Sequence, residues 1–340
     1  MKFYYRWYNI KKKLKKSLFL LILTILICFL VLEIGFRIYF YYNFNEKKFE
    51  IANLEGNSLN YFIRHNEVIK NYKFQTTLNS DGFRGINYSL EKPKNTTRIA
   101  IIGDSFTFGF GIKNTSDTYP KVLETLLNNN SNQKYEVMNF GMSGANILDI
   151  YWILKYKVLK YNPDIVMYGY FENDPEFLKN NLDVNYCSIF NENINSFLLR
   201  YIDIKIDNLK TKIMSNFYNT HDMYGKLVDT KYYGWECFDS IINEITKVSA
   251  NNQFKVFIFT LPSLDYKNDI DLFIEKEVYE IINKNNLEIY PNFATSFWNK
   301  TKGYSRNELR IDPDNGELHY NEMATRFIAE IIYSYFKENN

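Results

Sequence analysis

The chain carries a serine, a histidine and acidic residues in an order that suits acyl transfer. Ser105 follows a short apolar run, and His319 lies in a loop close to the carboxyl end. A hydroxyl that attacks an ester needs a base to take its proton. The other two histidines, His65 and His221, fall in irregular stretches, whereas His319 directly precedes a predicted helix. We therefore predict Ser105 as the nucleophile and His319 as its base.

Further residues could complete such a site. A carboxylate is needed to fix the tautomer of the imidazole, and Glu317 is the first candidate, with Asp314 as an alternative acid. The developing oxyanion needs donors. The backbone N–H groups of Ser105 and Gly144 and the side-chain amide of Asn173 could supply them, because each follows a predicted strand.

Strand and helix patterns alternate from residue 98 onward. Predicted strands cover residues 99–102, 135–140, 165–168, 256–261 and 287–290, and predicted helices cover 119–127, 147–160, 240–250, 274–285 and a last one from Glu322, capped by Asn321. This alternation predicts an α/β fold, a parallel sheet with helices on both faces. The carboxyl ends of parallel strands meet at one edge, so the predicted site residues should gather there.

Four ordered blocks resemble those of the SGNH/GDSL hydrolases. They are Gly103-Asp104-Ser105, Asn139-Phe-Gly-Met-Ser-Gly144, Asn173-Asp174 and His319. The resemblance covers about residues 98–335. It implies a flavodoxin-like three-layer α/β/α sandwich, ester hydrolysis or acyl transfer through an acyl-serine, and no metal or other cofactor.

Two positions depart from the family pattern. Phe171 stands where the third block usually has glycine, and Gly316 stands where an aspartate usually precedes the histidine by three residues. Acetyltransferases of the same superfamily that modify exported polysaccharides place the acid two residues before the histidine. Glu317 occupies that position here.

The amino-terminal region predicts a membrane anchor. Seven basic residues and no acidic one precede Ser17, and Leu18–Leu32 is almost unbrokenly apolar. We predict a cytoplasmic basic segment (1–16), a transmembrane helix (17–42), a membrane-proximal spacer (43–97) and an extracytoplasmic catalytic domain (98–340) with an insertion at about 175–239. A cleaved signal peptide is the alternative, but the apolar run is longer than is usual for one and no small-residue cleavage site follows.

The charge distribution limits the classes of partner that the chain could bind. The formal net charge is +2, and the basic cluster lies beside the apolar span rather than on the domain, which argues against nucleic-acid binding.

Cys28 falls in the apolar span, so only Cys187 and Cys237 could pair. An exported domain permits that disulfide, and two thiols are the alternative.

Three functions remain open from the sequence. The first is a membrane-anchored serine esterase acting on acyl esters, acetyl esters foremost. The second is an O-acyltransferase that modifies a cell-envelope polysaccharide, with a glycan as acceptor and a multi-span acyltransferase as partner. The third is a non-catalytic envelope-binding protein, which retention of the four blocks disfavours.

Overall fold

A computed structural model describes residues 2–52, 78–175, 196, 198–199, 202, 205–206, 233–264, 268–315 and 317–339. Most of the predicted insertion, including Cys187, and residues 53–77 of the predicted spacer lie outside these residues. Cys237 is disulfide-bonded, and Cys28 is a free thiol.

The core of the domain is a five-stranded parallel sheet. Its strands are β1 (Thr96–Gly103), β2 (Lys134–Gly141), β3 (Ile165–Tyr170), β4 (Lys255–Thr260) and β5 (Glu288–Ile289). Their order is β2-β1-β3-β4-β5, and every neighbouring pair is parallel. This is the doubly wound, flavodoxin-like order, whose ligands bind where β1 and β3 part. The predicted fold class is confirmed.

Helices cover both faces of the sheet. They are α1 (Lys2–Ala52), α2 (Ser105–Phe108), α3 (Tyr119–Asn129), α4 (Ile147–Ile153), α5 (Tyr233–Asn252), α6 (Asn268–Lys284), α7 (Phe293–Lys300) and α8 (Glu322–Asn339). The Asn321 side chain accepts hydrogen bonds from the N–H groups of Met323 and Ala324, which confirms the predicted cap of α8.

Several helices differ from the sequence prediction. The helix predicted over 147–160 is α-helical only to Ile153 and continues as a π turn and a 3₁₀ turn to Tyr161. Helix α5 starts at Tyr233 rather than at 240, because Trp235 and Phe238 extend its buried face toward the amino end. Helix α7 was not predicted, since its eight residues are too few to show a helical period.

Alternating residues of β1 pack into two separate hydrophobic cores, one on each face of the sheet. Ala100 and Ile102 face α4 and α5 on one side of the sheet, whereas Ile99 and Ile101 face α3, α7 and α8 on the other. A strand buried on both faces must be apolar at nearly every position, as β1 is. Both helical layers therefore pack on β1. This strand leads directly into the short helix that begins with the candidate nucleophile, Ser105.

The amino-terminal helix is long and apolar. Within the residues that the structure describes, Ile10–Tyr39 is the one stretch that is long and apolar enough to cross a membrane, although a signal sequence would pass the same test. The predicted basic segment and the predicted span lie on this single continuous helix. Its outer part contacts the domain at α4.

Three glycines in register let α2 lie directly on the ends of the strands. Gly103 of β1 pairs with Gly141 of β2 on one side and Gly169 of β3 on the other. A Cβ atom at Gly141 would lie 2.2 Å from the backbone nitrogen of Phe108, and one at Gly103 would lie 2.1 Å from Thr107 Oγ1. No side chain fits between these strand ends and α2.

A methyl group at this contact should displace the helix that follows the nucleophile. We expect Gly141→Ala to lower any activity that depends on Ser105 by about 100-fold, because displacements on the ångström scale cost that much in positioned catalysis. Gly303→Ala is the control, since a Cβ there meets no atom within 4 Å and only a positive φ of 108° opposes it. Both variants would be assayed after their folding is checked by thermal melting. Equal activity of the two variants would contradict the contact.

Candidate active site

Helix α2 presents Ser105 at the carboxyl edge of the sheet. Strand β1 ends at Gly103, and the Asp104 side chain accepts a hydrogen bond from the Phe106 N–H at 2.9 Å, which caps the short helix. The helix ends at Gly109, whose φ of 77° is open to glycine at little cost. Ser105 thus lies at the start of a helix of a single turn, and it is only 8% exposed.

Arg84 holds the loop that follows α2, and the sequence analysis did not identify it. Its guanidinium is buried and donates to the carbonyls of Gly109 at 2.5 Å and Ile112 at 2.6 Å. Burial lowers the pKa of Arg84 to about 10, so it remains charged at neutral pH. A turn signal at residues 79–82 was the only hint in the sequence, and it does not reveal which loop the arginine reaches.

His319 is delivered by a closed loop. Arg310 and Tyr320 form an antiparallel bridge, and the Ile311 N–H donates to the His319 carbonyl at 3.1 Å. The Tyr320 hydroxyl donates to the carbonyl of Pro262, after β4. These contacts tie the loop to the sheet edge, so the position of the imidazole is fixed although the residue lies in a loop.

The structure brings Ser105, His319 and Glu317 into one hydrogen-bonded line. His319 Nε2 lies 2.7 Å from Ser105 Oγ, and His319 Nδ1 lies 2.5 Å from Glu317 Oε1. The imidazole is within reach of the serine proton, and the carboxylate fixes which ring nitrogen is free to accept it. Asp314 is exposed in a short 3₁₀ helix, so Glu317 is the acid that contacts His319.

Aromatic rings enclose the imidazole. Phe106 and Phe110 have ring centroids 4.7 Å and 4.6 Å from that of His319. Phe171, in the position where the family usually has glycine, stacks on Phe106 at 3.8 Å and is buried. The site therefore has an apolar wall beside the nucleophile.

The other predicted donors lie on the two neighbouring turns. Gly144 has a φ of 75° and is exposed, with open space where a Cβ atom would be. Asn173 follows β3, and its side chain hydrogen-bonds the Asp104 carboxylate. The Ile147 N–H donates to the Asp174 carbonyl at 3.0 Å, which links the turn after β2 to the turn after β3.

Two buried carboxylates lie beneath this arrangement. Asp174 accepts hydrogen bonds from the Tyr168 hydroxyl at 2.7 Å and from the Phe171 N–H at 2.9 Å. Burial, with the neighbouring charge of Asp104, raises the pKa of Asp174 well above its usual range. Burial also raises the pKa of Asp104 to about 6, against the opposing effect of the Phe106 N–H and His319. Burial thus favours the protonated form of Asp174.

Within the described part of the chain, no group of three or more His, Cys, Asp or Glu side chains is placed to hold a metal ion. The groups that could do chemistry at this edge are the Ser-His-Glu line and the nearby N–H donors.

Comparisons with known proteins give similar solved structures only. No family model matches the sequence, and no curated protein matches it. TesA is 13% identical, covers 71% of this chain and 99% of its own, and has a TM-score of 0.44. An acetylxylan esterase, Axe2 from Geobacillus stearothermophilus, is 14% identical, with 71% and 95% coverage and a TM-score of 0.45. A putative lipolytic protein of the G-D-S-L family from Desulfitobacterium hafniense is 18% identical, with 70% and 98% coverage and a TM-score of 0.40. At identities and TM-scores this low, the case for an activity rests on the geometry of this chain's own residues.

The raised pKa of Asp174 makes stability depend on pH. The folded state holds this proton more tightly than the unfolded state, so the stabilisation is complete below the ordinary carboxyl pKa of about 4 and is lost as pH rises through the raised pKa. Where only the folded state holds the proton, the free energy of unfolding falls by about 1.4 kcal/mol per pH unit. We expect Asp174→Asn, which cannot ionise, to flatten the fall between about pH 4 and 8.

Urea unfolding of the wild type and Asp174→Asn across this pH window measures the effect. Asp164→Asn is the control, because that carboxylate is 41% exposed and paired with Lys92. Parallel pH profiles for the wild type and Asp174→Asn would show that Asp174 is ionised in the folded protein.

Proposed function

We propose that this chain is a serine esterase that cleaves acyl esters through an acyl-serine intermediate. The observation that carries the proposal is the line from Ser105 Oγ through the His319 imidazole to Glu317, with distances of 2.7 Å and 2.5 Å. A serine and a base in hydrogen-bond contact, with the base oriented by a third group, is the general signature of an activated nucleophile. The resemblance of the four sequence blocks to SGNH/GDSL hydrolases points to the same chemistry.

The residues act in sequence during one turnover. Ser105 Oγ attacks the ester carbonyl carbon while His319 Nε2 takes the hydroxyl proton, and Glu317 stabilises the imidazolium that forms. The N–H groups of Ser105 and Gly144 and the amide of Asn173 donate to the oxyanion. The imidazolium then passes its proton to the leaving alcohol. Water attacks the acyl-serine by the same steps in reverse and restores the free serine.

The apolar wall supports a small acyl group. Phe171 lies two residues before the proposed oxyanion donor Asn173, and its ring stacks on Phe106, beside Ser105. Bulk at this point leaves less space for an acyl chain than the usual glycine would. Acetyl esters are therefore the preferred substrates in our proposal.

We further propose that the catalytic domain works outside the cytoplasm on a membrane anchor. Helix α1 supplies the span, and the basic residues before Ser17 keep its amino end in the cytoplasm by the positive-inside rule. A disulfide at Cys237 is consistent with an oxidising compartment.

An O-acyltransferase is the second candidate. The acid that contacts His319 is Glu317, two residues before it, and acetyltransferases of the superfamily that modify polysaccharides place their acid there. In transfer, a sugar hydroxyl would replace water in the second half-reaction. Trp235, a possible sugar-stacking residue, is buried at 7% exposure and packs on Phe238, so it lends no support to a glycan site.

Substitution of the proposed triad should abolish ester cleavage. We expect Ser105→Ala and His319→Ala to lower kcat/KM for p-nitrophenyl acetate by about 1,000-fold or more. Glu317→Gln should cost about 100-fold or more, since the amide cannot stabilise the imidazolium. Asp314→Asn is the matched control and should keep wild-type activity. Cleavage that survives the Ser105 and His319 substitutions would refute the proposal and favour the binding-protein alternative.

Adding oligosaccharides to the same assay distinguishes an esterase from an acyltransferase, because acetylated sugar among the products indicates transfer.

Acyl-chain preference should follow the residue at position 171. We expect Phe171→Ala to raise kcat/KM for the butyrate ester relative to the acetate ester by about tenfold, because pocket discrimination of a few methylenes is of that order. Phe171→Leu, which retains part of the bulk, should give a smaller change. An unchanged ratio in both variants would place the acyl group elsewhere.

A further inference from the structure

The outer part of α1 is attached to the domain by specific contacts. Glu33 accepts hydrogen bonds from the Ser196 hydroxyl at 2.8 Å and from the Leu198 N–H at 2.9 Å. Its other oxygen accepts from Arg37 Nε at 2.8 Å. Phe36 packs against the core beneath α4 and α5. Helix α1 is thus docked on the domain near residues 33–36 rather than joined to it only through the chain.

The docking point places the outer end of the membrane span at about residue 33, nine residues before the end at 42 that the sequence predicts. The basic cluster ends at Lys16, and a helix rises about 1.5 Å per residue, so Glu33 lies about 25 Å farther along α1. The hydrocarbon core of a bilayer is about 30 Å thick. A carboxylate is costly in hydrocarbon, and Glu33 is neutralised here by Arg37 and by two donors from the domain. Ser196 and Leu198 therefore lie at the level where α1 leaves the bilayer.

Exposed apolar side chains follow this docking point in the chain. Ser196 Oγ accepts from the Leu199 N–H at 3.2 Å, and the described residues 198–199, 202 and 205–206 are each in helical conformation. Leu199, Ile202 and Ile206 are 54%, 42% and 47% exposed. These three residues are spaced by three and four, which is the spacing of one helix face, and we call them the apolar stripe.

The position of the apolar stripe beside α1 favours the membrane as the surface that covers it. Among the described residues of the domain, the other exposed large apolar side chains (Ile86, Leu90, Tyr279 and Tyr304) do not form such a stripe. Single exposed apolar residues are ordinary on a protein surface, whereas a face of them beside a membrane span is typical of helices that lie in the bilayer interface. The stripe begins at the residue after Leu198, whose N–H binds Glu33 of α1.

We propose that the apolar stripe lies in the outer interface of the bilayer as a second membrane contact. This inference rests on the membrane anchoring proposed above. A single spanning helix leaves a domain free to tilt and rotate on the surface. A second contact displaced from α1 removes that freedom and holds the domain, with its active site, in one orientation to the membrane.

Site-specific fluorescence in vesicles tests this contact. The full chain with Cys28→Ser would carry Ile202→Cys or, as a control, Tyr304→Cys, labelled with nitrobenzoxadiazole and reconstituted in phosphatidylcholine and phosphatidylglycerol vesicles. Tyr304 is 45% exposed and packs on Phe327 of α8, on the face of the sheet opposite α4. The Cys28→Ser chain without an added cysteine measures background labelling.

We expect the label at position 202 to be quenched by spin-labelled lipid and to show about threefold or more weaker quenching by aqueous iodide than the label at 304. Equal iodide quenching in chains that float with the vesicles would overturn the second contact and leave the anchor standing. Protection from iodide without quenching by lipid would also overturn it, because a protein would then cover the stripe. Chains that fail to float would refute the anchor and this inference together. Ester cleavage measured on the same samples reports separately on the catalytic proposal.

Discussion

The close approach of α2 to the ends of three strands is the constraint on which the site depends. Gly103, Gly141 and Gly169 stand side by side in the register of the sheet, and Thr107 and Phe108 lie directly on them. A Cβ at Gly141 would meet the backbone of this helix, and one at Gly103 would meet the Thr107 side chain, so either would displace the helix that begins with Ser105. Because the imidazole is held independently, through Tyr320 and the loop after β4, the 2.7 Å contact forms only when both supports are in place.

Burial of two carboxylates beneath the nucleophile costs free energy, which their hydrogen bonds offset. Asp104 and Asp174 are buried together, and two charges there would repel each other in a poorly solvated interior. Burial raises the pKa of Asp174, which favours its neutral form, and Tyr168 and Phe171 both donate hydrogen bonds to one of its oxygens. The hydrogen bond from Asn173 to Asp104 joins the turn that carries Ser105 to the turn that carries Asn173.

Local sequence patterns were enough to predict the sheet, most helices and the residues of the candidate triad. The strands are short apolar runs, two of which end at a glycine, and Ser105, Glu317 and His319 stand in blocks with a recognisable order. Contacts between distant segments leave no local pattern. Arg84 reaches a loop 25 residues away, and Ser196 meets Glu33 from 163 residues away, so neither could be predicted. Glu317 was preferred to Asp314 from its position two residues before His319, and the structure shows the contact between the two side chains.

Covalent labelling by a fluorophosphonate tests the central claim most directly. These reagents react with serines whose hydroxyl is activated by a base and whose oxyanion is stabilised. The account predicts one adduct on the full chain, located at Ser105 by peptide mass spectrometry and lost in His319→Ala. An absence of any adduct, an adduct on another serine, or labelling of Ser105 that does not depend on His319 would contradict it.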